Sequence, residues 1–274
     1  MQSTQGLTPA LEIRGLWKAY EGRPALAGVD LSVSSGEVHG LVGPNGAGKT
    51  TSLKIVMGLL RADAGSVRVL GTDIARDMHD YKAHVGYLPE APSLPDFLTG
   101  EEFLGTIARL RGLTPEAAKQ RALELLSEYD LLGRGRDLIA SYSKGMKQKL
   151  GICTALVHKP ALLIIDEPFL GMDPAGQHRF KETLRSKGGD GPAVLLSTHM
   201  LDTAERLCNR VTILHRGKVV ATGVLDELRN AAHTGGDASL EEVLLKLTEE
   251  ASQPEPERPS LPRRWPFRGF AGGL

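Results

Sequence analysis

Residues 43–50 read Gly43-Pro44-Asn45-Gly46-Ala47-Gly48-Lys49-Thr50, a complete G-x-x-x-x-G-K-[ST] pattern. The glycines let successive backbone N–H groups turn inward around a polyphosphate, where a Cβ would obstruct them. Lys49 supplies a compact positive charge for β- and γ-phosphates, and the Thr50 hydroxyl can ligate Mg²⁺. A short apolar run, Val38 to Val42, precedes the pattern, and a helix-like run through Leu53, Val56 and Met57 follows it. That strand–loop–helix order is the context such a loop requires, and the helix directs its positive end at the same anion. The pattern implies binding of a nucleoside triphosphate.

A second constellation lies at Ala161-Leu162-Leu163-Ile164-Ile165-Asp166-Glu167-Pro168. An unbroken apolar run between two prolines predicts a parallel strand buried on both faces. Its last residues then emerge at the carboxyl edge of the sheet, where open α/β sheets hold ligands. Asp166 is placed to hold Mg²⁺, directly or through water. Glu167, one residue on, is expected to point elsewhere because side chains alternate along a strand. It is then free to polarise an attacking water, a role worth typically ~10²–10⁴ in rate.

A third, Ser141-Tyr142-Ser143-Lys144-Gly145-Met146-Lys147-Gln148-Lys149-Leu150, places Ser143 as N-cap of a helix with Gly145 beside it. Tyr142 to Met146 resembles the signature motif of the ATP-binding cassette (ABC) ATPases, whose usual form is Leu-Ser-Gly-Gly-Gln. The departures are Tyr142 for Leu, Lys144 for the first Gly and Met146 for Gln; Ser143 and Gly145 are kept. Other landmarks of that family fall in order. Tyr20 matches an aromatic that stacks on adenine. Gly86-Tyr87-Leu88-Pro89-Glu90 resembles a segment that carries Gln in many members, with Glu90 here, as in a branch dominated by exporters. Gly171-Met172-Asp173-Pro174 resembles the loop after the catalytic carboxylate, at the dimer interface. Ser197-Thr198-His199 ends another apolar strand, Ala193 to Leu196, and matches the switch histidine.

The resemblance covers about residues 10–248 and implies an α/β P-loop NTPase core with a β-rich nucleotide-binding edge and an inserted helical subdomain. It implies ATP and Mg²⁺ as cofactors, with ATP on Tyr20, residues 43–50 and Thr51, and the metal at Thr50, Glu90 and Asp166. It implies head-to-tail pairing with a second cassette, whose ATP is contacted in trans by Ser143, Lys144, Gly145 and Met146. Glu167 would activate water and His199 would sense the γ-phosphate. A separate integral-membrane permease, docking near Glu90 to Leu104, would be driven from the cytoplasmic face of the membrane. Glu90 and the lysine-rich signature point toward export or another membrane process, with export favoured. The alternative is a soluble ABC ATPase acting on a ribosome or DNA complex; such proteins usually carry two cassettes or a long inserted coiled coil, and neither is seen here.

The elements that must position these residues follow. Leu11 to Tyr20, Ala25 to Val33 and Val67 to Leu70 read as strands of the β-rich edge. Helices are expected near Glu101 to Leu110 and Pro115 to Tyr129, the latter capped by Thr114, within a helical subdomain over about 87–155. Strands Val211 to Leu214 and Lys218 to Ala221 precede helices at Leu225 and Leu240, where Ser239 and Glu242 form a capping box. The domain is expected to span 11–250, after an N-terminal extension at 1–10. Residues 251–274 are Pro- and Arg-rich, a composition that cannot bury a core and predicts disorder. The alternative for this tail is that Trp265, Phe267 and Phe270, with Arg263, Arg264 and Arg268, touch anionic lipid or a membrane partner.

At 274 residues the chain can bury a substantial core, and its 41% hydrophobic and 24% charged residues are ordinary for a globular protein. Lysine plus arginine and aspartate plus glutamate number 33 each, so there is no overall basic field and no nucleic-acid partner is expected. No apolar run approaches the roughly 20 residues that span a bilayer, and Met1 to Leu11 has no signal-peptide pattern. Cys153 and Cys208, on helical stretches and without metal spacing, are expected to be buried free thiols.

Overall fold

The computed structural model describes residues 8–77, 80–169, 172–186 and 191–252. The Pro/Arg-rich tail from Gln253, most of the N-terminal extension, and Gly171 lie outside the described residues.

In chain order the elements are β1 (Leu11–Tyr20), β2 (Arg23–Val33), β3 (Val38–Val42), α1 (Lys49–Val56), β4 (Ala64–Val69), β5 (Thr72–Asp73), α2 (Asp80–Ala83) and β6 (Val85–Leu88). Then come α3 (Gly100–Leu110), α4 (Pro115–Glu128), α5 (Lys144–Leu156), β7 (Leu162–Asp166), α6 (Pro174–Ser186) and β8 (Ala193–Thr198). The chain continues through α7 (Leu201–Leu207), β9 (Arg210–His215), β10 (Lys218–Gly223), α8 (Leu225–Ala231) and α9 (Leu240–Ser252). Two sheets result. One is antiparallel, in the order β2-β1-β4-β5; the other runs β10-β9-β3-β8-β7-β6, parallel except for the β9–β10 pair.

The central strands are apolar throughout because both faces are covered. Every residue of β3, β7 and β8 is buried. Strand alternation divides them between two cores. Leu163 and Ile165 of β7 join Val194 and Leu196 of β8 against Leu150 and Cys153 of α5, with α3 and α4 beyond. Leu162 and Ile164 join Ala193 and Leu195 against Leu53 and Val56 of α1 and the strands of the antiparallel sheet. Each such buried aliphatic side chain contributes about 1.5–3 kcal/mol over exposure. The phosphate loop and the ends of β7 and β8 are thus anchored on both sides.

The helix starts carry the caps their sequences predict. Thr114 Oγ1 accepts from Ala117 N, and Ser143 Oγ accepts from Met146 N at 3.2 Å. Ser239 and Glu242 cap α9 reciprocally. Some boundaries differ from those read in the sequence. β2 begins at Arg23 and β4 at Ala64, both extended by antiparallel pairing to β1. Leu70 lies outside β4, at φ 50° in the turn to β5. Cys153 is buried, but Cys208 lies just past α7 and is only partly buried; its sulfur packs beside Gly40.

Candidate functional site

The loop Gly43–Gly48 joins β3 to α1, and backbone crowding dictates its glycines. A Cβ on Gly43 (φ 154°) would lie 2.1 Å from the Leu214 carbonyl oxygen, and one on Gly48 (φ 108°) 2.6 Å from that of Ala25. The hairpin between β9 and β10 braces the loop, with Gly217 N–H donating to Ala47 O at 2.9 Å. Gly48 is the N-cap of α1 and offers no side-chain acceptor, and the first turn holds no acidic residue. The first N–H groups of α1 are therefore left to an anion.

An open cavity of about 380 Å³ lies over this helix start. Asn45, Gly46, Ala47, Gly48, Lys49, Thr50 and Thr51 line one side, and Ala25, Glu90, Glu167 and His199 the rest. Five segments distant in sequence thus converge there. Lys49 is buried, and its ammonium donates to Gly43 O at 2.7 Å and Pro44 O at 3.2 Å. Burial pushes its pKa down, opposed by the charges of Glu167, Asp166 and Glu90. Three carboxylates therefore act on a single ammonium.

Asp166, at the end of β7, is buried, and its Oδ1 accepts from Ser197 Oγ at 2.7 Å. Burial pushes the nearby Tyr87 phenol up to about 12, with the Asp166 charge adding to the effect. Glu167 corrects an expectation. It lies beyond the end of β7 at φ 46°, so its direction is set by a left-handed backbone and not by strand alternation. Nor is its carboxylate unengaged. Oε2 accepts from Thr198 Oγ1 at 3.1 Å, and Oε1 accepts from the His199 backbone N–H at 2.9 Å and lies 2.8 Å from His199 Nδ1.

The other expected site residues fall outside this cavity. Tyr20 ends β1 half-exposed, with the Lys18 ammonium 5.8 Å from its ring centre, and does not line the cavity. Ser143, Lys144, Gly145 and Met146 form the start of α5, exposed or partly so, and do not line it either. Met172 is buried. Asp173 caps α6, accepting from Gly176 N at 2.5 Å, and pairs with Lys149 at 3.2 Å. Residues not singled out in the sequence are Ala25, Gly217, Ser197 and Thr198. Only the last two left a signal, as hydroxyls closing a strand otherwise filled with Ala, Val and Leu.

The donor set fits a hard divalent cation. Thr50, Glu90 and Asp166 offer only oxygen, and Asp166 keeps acceptor capacity beyond its bond to Ser197. Mg²⁺ takes one or two carboxylates and completes its shell with phosphate and water, so two carboxylates and a hydroxyl would suffice for it.

A family model described as ABC transporter matches residues 26–170. The chain belongs to the ABC transporter family. EcsA, an ABC-type transporter ATP-binding protein of Bacillus subtilis, is 40% identical over 240 residues, 88% of this chain and 97% of EcsA. The daunorubicin resistance ATP-binding protein DrrA3 of Streptomyces coeruleorubidus is 40% identical over 228 residues, covering 83% of this chain and 72% of its own. A solved ATP-binding subunit of an ABC transporter superposes with TM-score 0.82 at 40% identity, covering 87% of this chain and 99% of that one. A cassette solved as a dimer in a post-hydrolysis state with ADP and Pi shares the fold at TM-score 0.72 and 24% identity, over 78% of this chain and 98% of its own. The ABC ATPase assignment thus holds for fold and activity, and the ribosome- or DNA-acting alternative is set aside. The chain is an ATP-binding, ATP-hydrolysing subunit of a transporter.

Proposed function

We propose that this ATPase pairs head-to-tail with a second cassette and drives a separate integral-membrane permease in the direction of export, from the cytoplasmic face of the membrane. The observation that carries the pairing is the split of the site. Lys49, Thr50, Glu90, Glu167 and His199 converge on one cavity, whereas Ser143 and Gly145 sit at a different helix start. A second copy or a homologous cassette would bring its own Ser143 and Gly145 over the bound ATP. The separate permease is supported by kinship to EcsA, an ABC-type transporter ATP-binding protein. Export is supported by Glu90 and by kinship to a daunorubicin resistance protein.

In this reading Lys49 exchanges the carbonyls of Gly43 and Pro44 for β- and γ-phosphate oxygens, and the α1 N-terminus holds the same phosphates. Thr50, Asp166 and Glu90 would hold Mg²⁺, which would neutralise phosphate charge when bound. Glu167 uses its remaining acceptor capacity to polarise the attacking water. His199 donates from Nδ1 to Glu167, so a phosphate contact through Nε2 requires a proton there as well, or release of the ring from Glu167. Its side chain is 46% exposed, which leaves it room to turn.

Glu167→Gln tests the reading, because it keeps the shape and removes the base. The purified variant is expected to be monomeric alone and with ADP, and dimeric with ATP, by light scattering. A monomer under all three conditions would point to an obligate heteromeric partner. Measurable turnover would remove Glu167 as the base.

A further inference from the structure

We propose that Ser197 and Thr198, the last two residues of β8, are positioning residues that set the two carboxylates of the neighbouring strand end: Ser197 sets Asp166 and Thr198 sets Glu167. The Glu167 half rests on the reading of that residue as the base.

The register of the parallel sheet makes the arrangement. Asp166 and Ser197 are paired across the β7–β8 ladder, and the Ser197 hydroxyl bonds Asp166 Oδ1 at 2.7 Å. Glu167 then leaves the ladder, but its own N–H still donates to Ser197 O at 2.9 Å. Its backbone is therefore tied to the residue that holds Asp166. Its carboxylate reaches Thr198, whose hydroxyl is oriented by a second bond. Met200 N–H donates to Thr198 Oγ1 at 3.0 Å, and Glu167 Oε2 lies 3.1 Å away. A hydroxyl has one proton, and an ionised carboxylate only accepts. With the Met200 N–H already donating onto Oγ1, the Thr198 proton goes to Glu167.

Together with the two contacts from His199, three of the roughly four acceptor positions of the Glu167 carboxylate are used, which fixes its plane and leaves capacity on Oε2. Packing alone does not ask for hydroxyls here. Ser197 and Thr198 are both fully buried and continue the run Val194, Leu195, Leu196. A buried hydroxyl is costly unless bonded, and the bonds that satisfy these two run to the site carboxylates. Successive strand residues face opposite sides, so the two hydroxyls act on the two carboxylates separately.

The test compares Thr198→Val, Thr198→Ser and Ser197→Ala with the parent in ATPase assays, in fluorescent-nucleotide binding and in thermal unfolding. Thr198→Val is expected to lower kcat about 10- to 100-fold, the cost of a lost bond to a charged group and a misplaced base. ATP affinity should stay within about 3-fold of the parent, since Thr198 itself does not line the nucleotide cavity and acts there only through Glu167. Thr198→Ser, which keeps the hydroxyl, should recover most of the rate. Should the Val variant fail to fold, Thr198→Ala reads the same loss. Ser197→Ala is expected to raise the Mg²⁺ concentration for half-maximal ATP binding by about 3- to 10-fold, a readout independent of turnover. Glu167→Gln run alongside separates the two layers. Turnover by that variant would remove the base reading. An inactive Glu167→Gln beside a Thr198→Val of parental kcat would overturn the Thr198 assignment alone. Loss of rate in Thr198→Ser equal to that in Thr198→Val would also overturn it, and an unchanged Mg²⁺ dependence would overturn that of Ser197.

Discussion

The Lys49 ammonium lies 2.7 Å from the carbonyl oxygen of Gly43, so the phosphate loop closes on its own lysine. That bond and the one to Pro44 O leave a buried cation satisfied by neutral oxygens, with Glu167, Asp166 and Glu90 supplying compensating charge at longer range. A polyphosphate offers the same ammonium full negative charge without moving the backbone.

Lys49→Ala should therefore abolish ATP hydrolysis and weaken nucleotide binding at least tenfold, about 1.4 kcal/mol or more. The two loop carbonyls also lose their donor, so a modest drop in thermal midpoint should accompany it. Isothermal titration with ATP and a phosphate-release assay check both. Activity above about a tenth of the parent with unchanged affinity would contradict the role of the loop lysine.

Gly43→Ala tests the backbone of the loop and not its charge. The added methyl would meet the Leu214 carbonyl oxygen at 2.1 Å, on a backbone at φ 154° that L-residues rarely adopt. Because β9 must shift to relieve the clash, the expected loss is about 2–4 kcal/mol. Urea unfolding measures it. A loss under about 0.5 kcal/mol would mean that the loop and β9 do not pack as described.

His158 gives a pH dependence remote from the nucleotide. Its Nε2 donates to Val85 O at 3.1 Å, while Nδ1 is buried without a hydrogen-bond partner. Burial, reinforced by Arg111, pushes its pKa from 6.5 to about 4. The unfolded chain takes up a proton near 6.5 and the native one only near 4, so native stability falls as pH drops through that window and levels off below it. His158→Gln should show a shallower fall between pH 6.5 and 4. Identical thermal-midpoint profiles for parent and variant would dismiss the effect.

Much of the core was legible because double-sided burial writes unbroken apolar runs: Val38–Val42, Leu162–Ile165 and Ala193–Leu196 all appear as strands. Caps at Thr114, Ser143 and Ser239 were legible from side-chain chemistry alone. α6 was harder, since Phe180 and Leu184 are its buried apolar residues among those described and too few to show a period. Within the site, the residues of the loop and both carboxylates were legible from type and spacing. The direction of Glu167 was not, because it depends on a left-handed backbone just past a strand end. The Ser197 and Thr198 contacts were not either, because they arise from the register between strands separated by the whole of α6.

Asp173 joins local structure to the proposed dimer. It precedes Pro174, accepts from Gly176 N as the cap of α6, and pairs with Lys149 of α5 across a partly exposed contact. The bond to Gly176, chiefly, holds its carboxyl below the usual range. Asp173→Ala removes cap and charge together and should cost about 1 kcal/mol of stability by urea unfolding. Asp173→Asn keeps a capping oxygen and loses only the exposed ion pair, worth about 0–1 kcal/mol, so its monomer should unfold close to the parent. If Asp173 also faces the second cassette, Asp173→Asn in the Glu167→Gln background should still weaken ATP-driven dimerisation several-fold by light scattering. Unaltered dimerisation together with an intact cap would confine Asp173 to holding the start of α6.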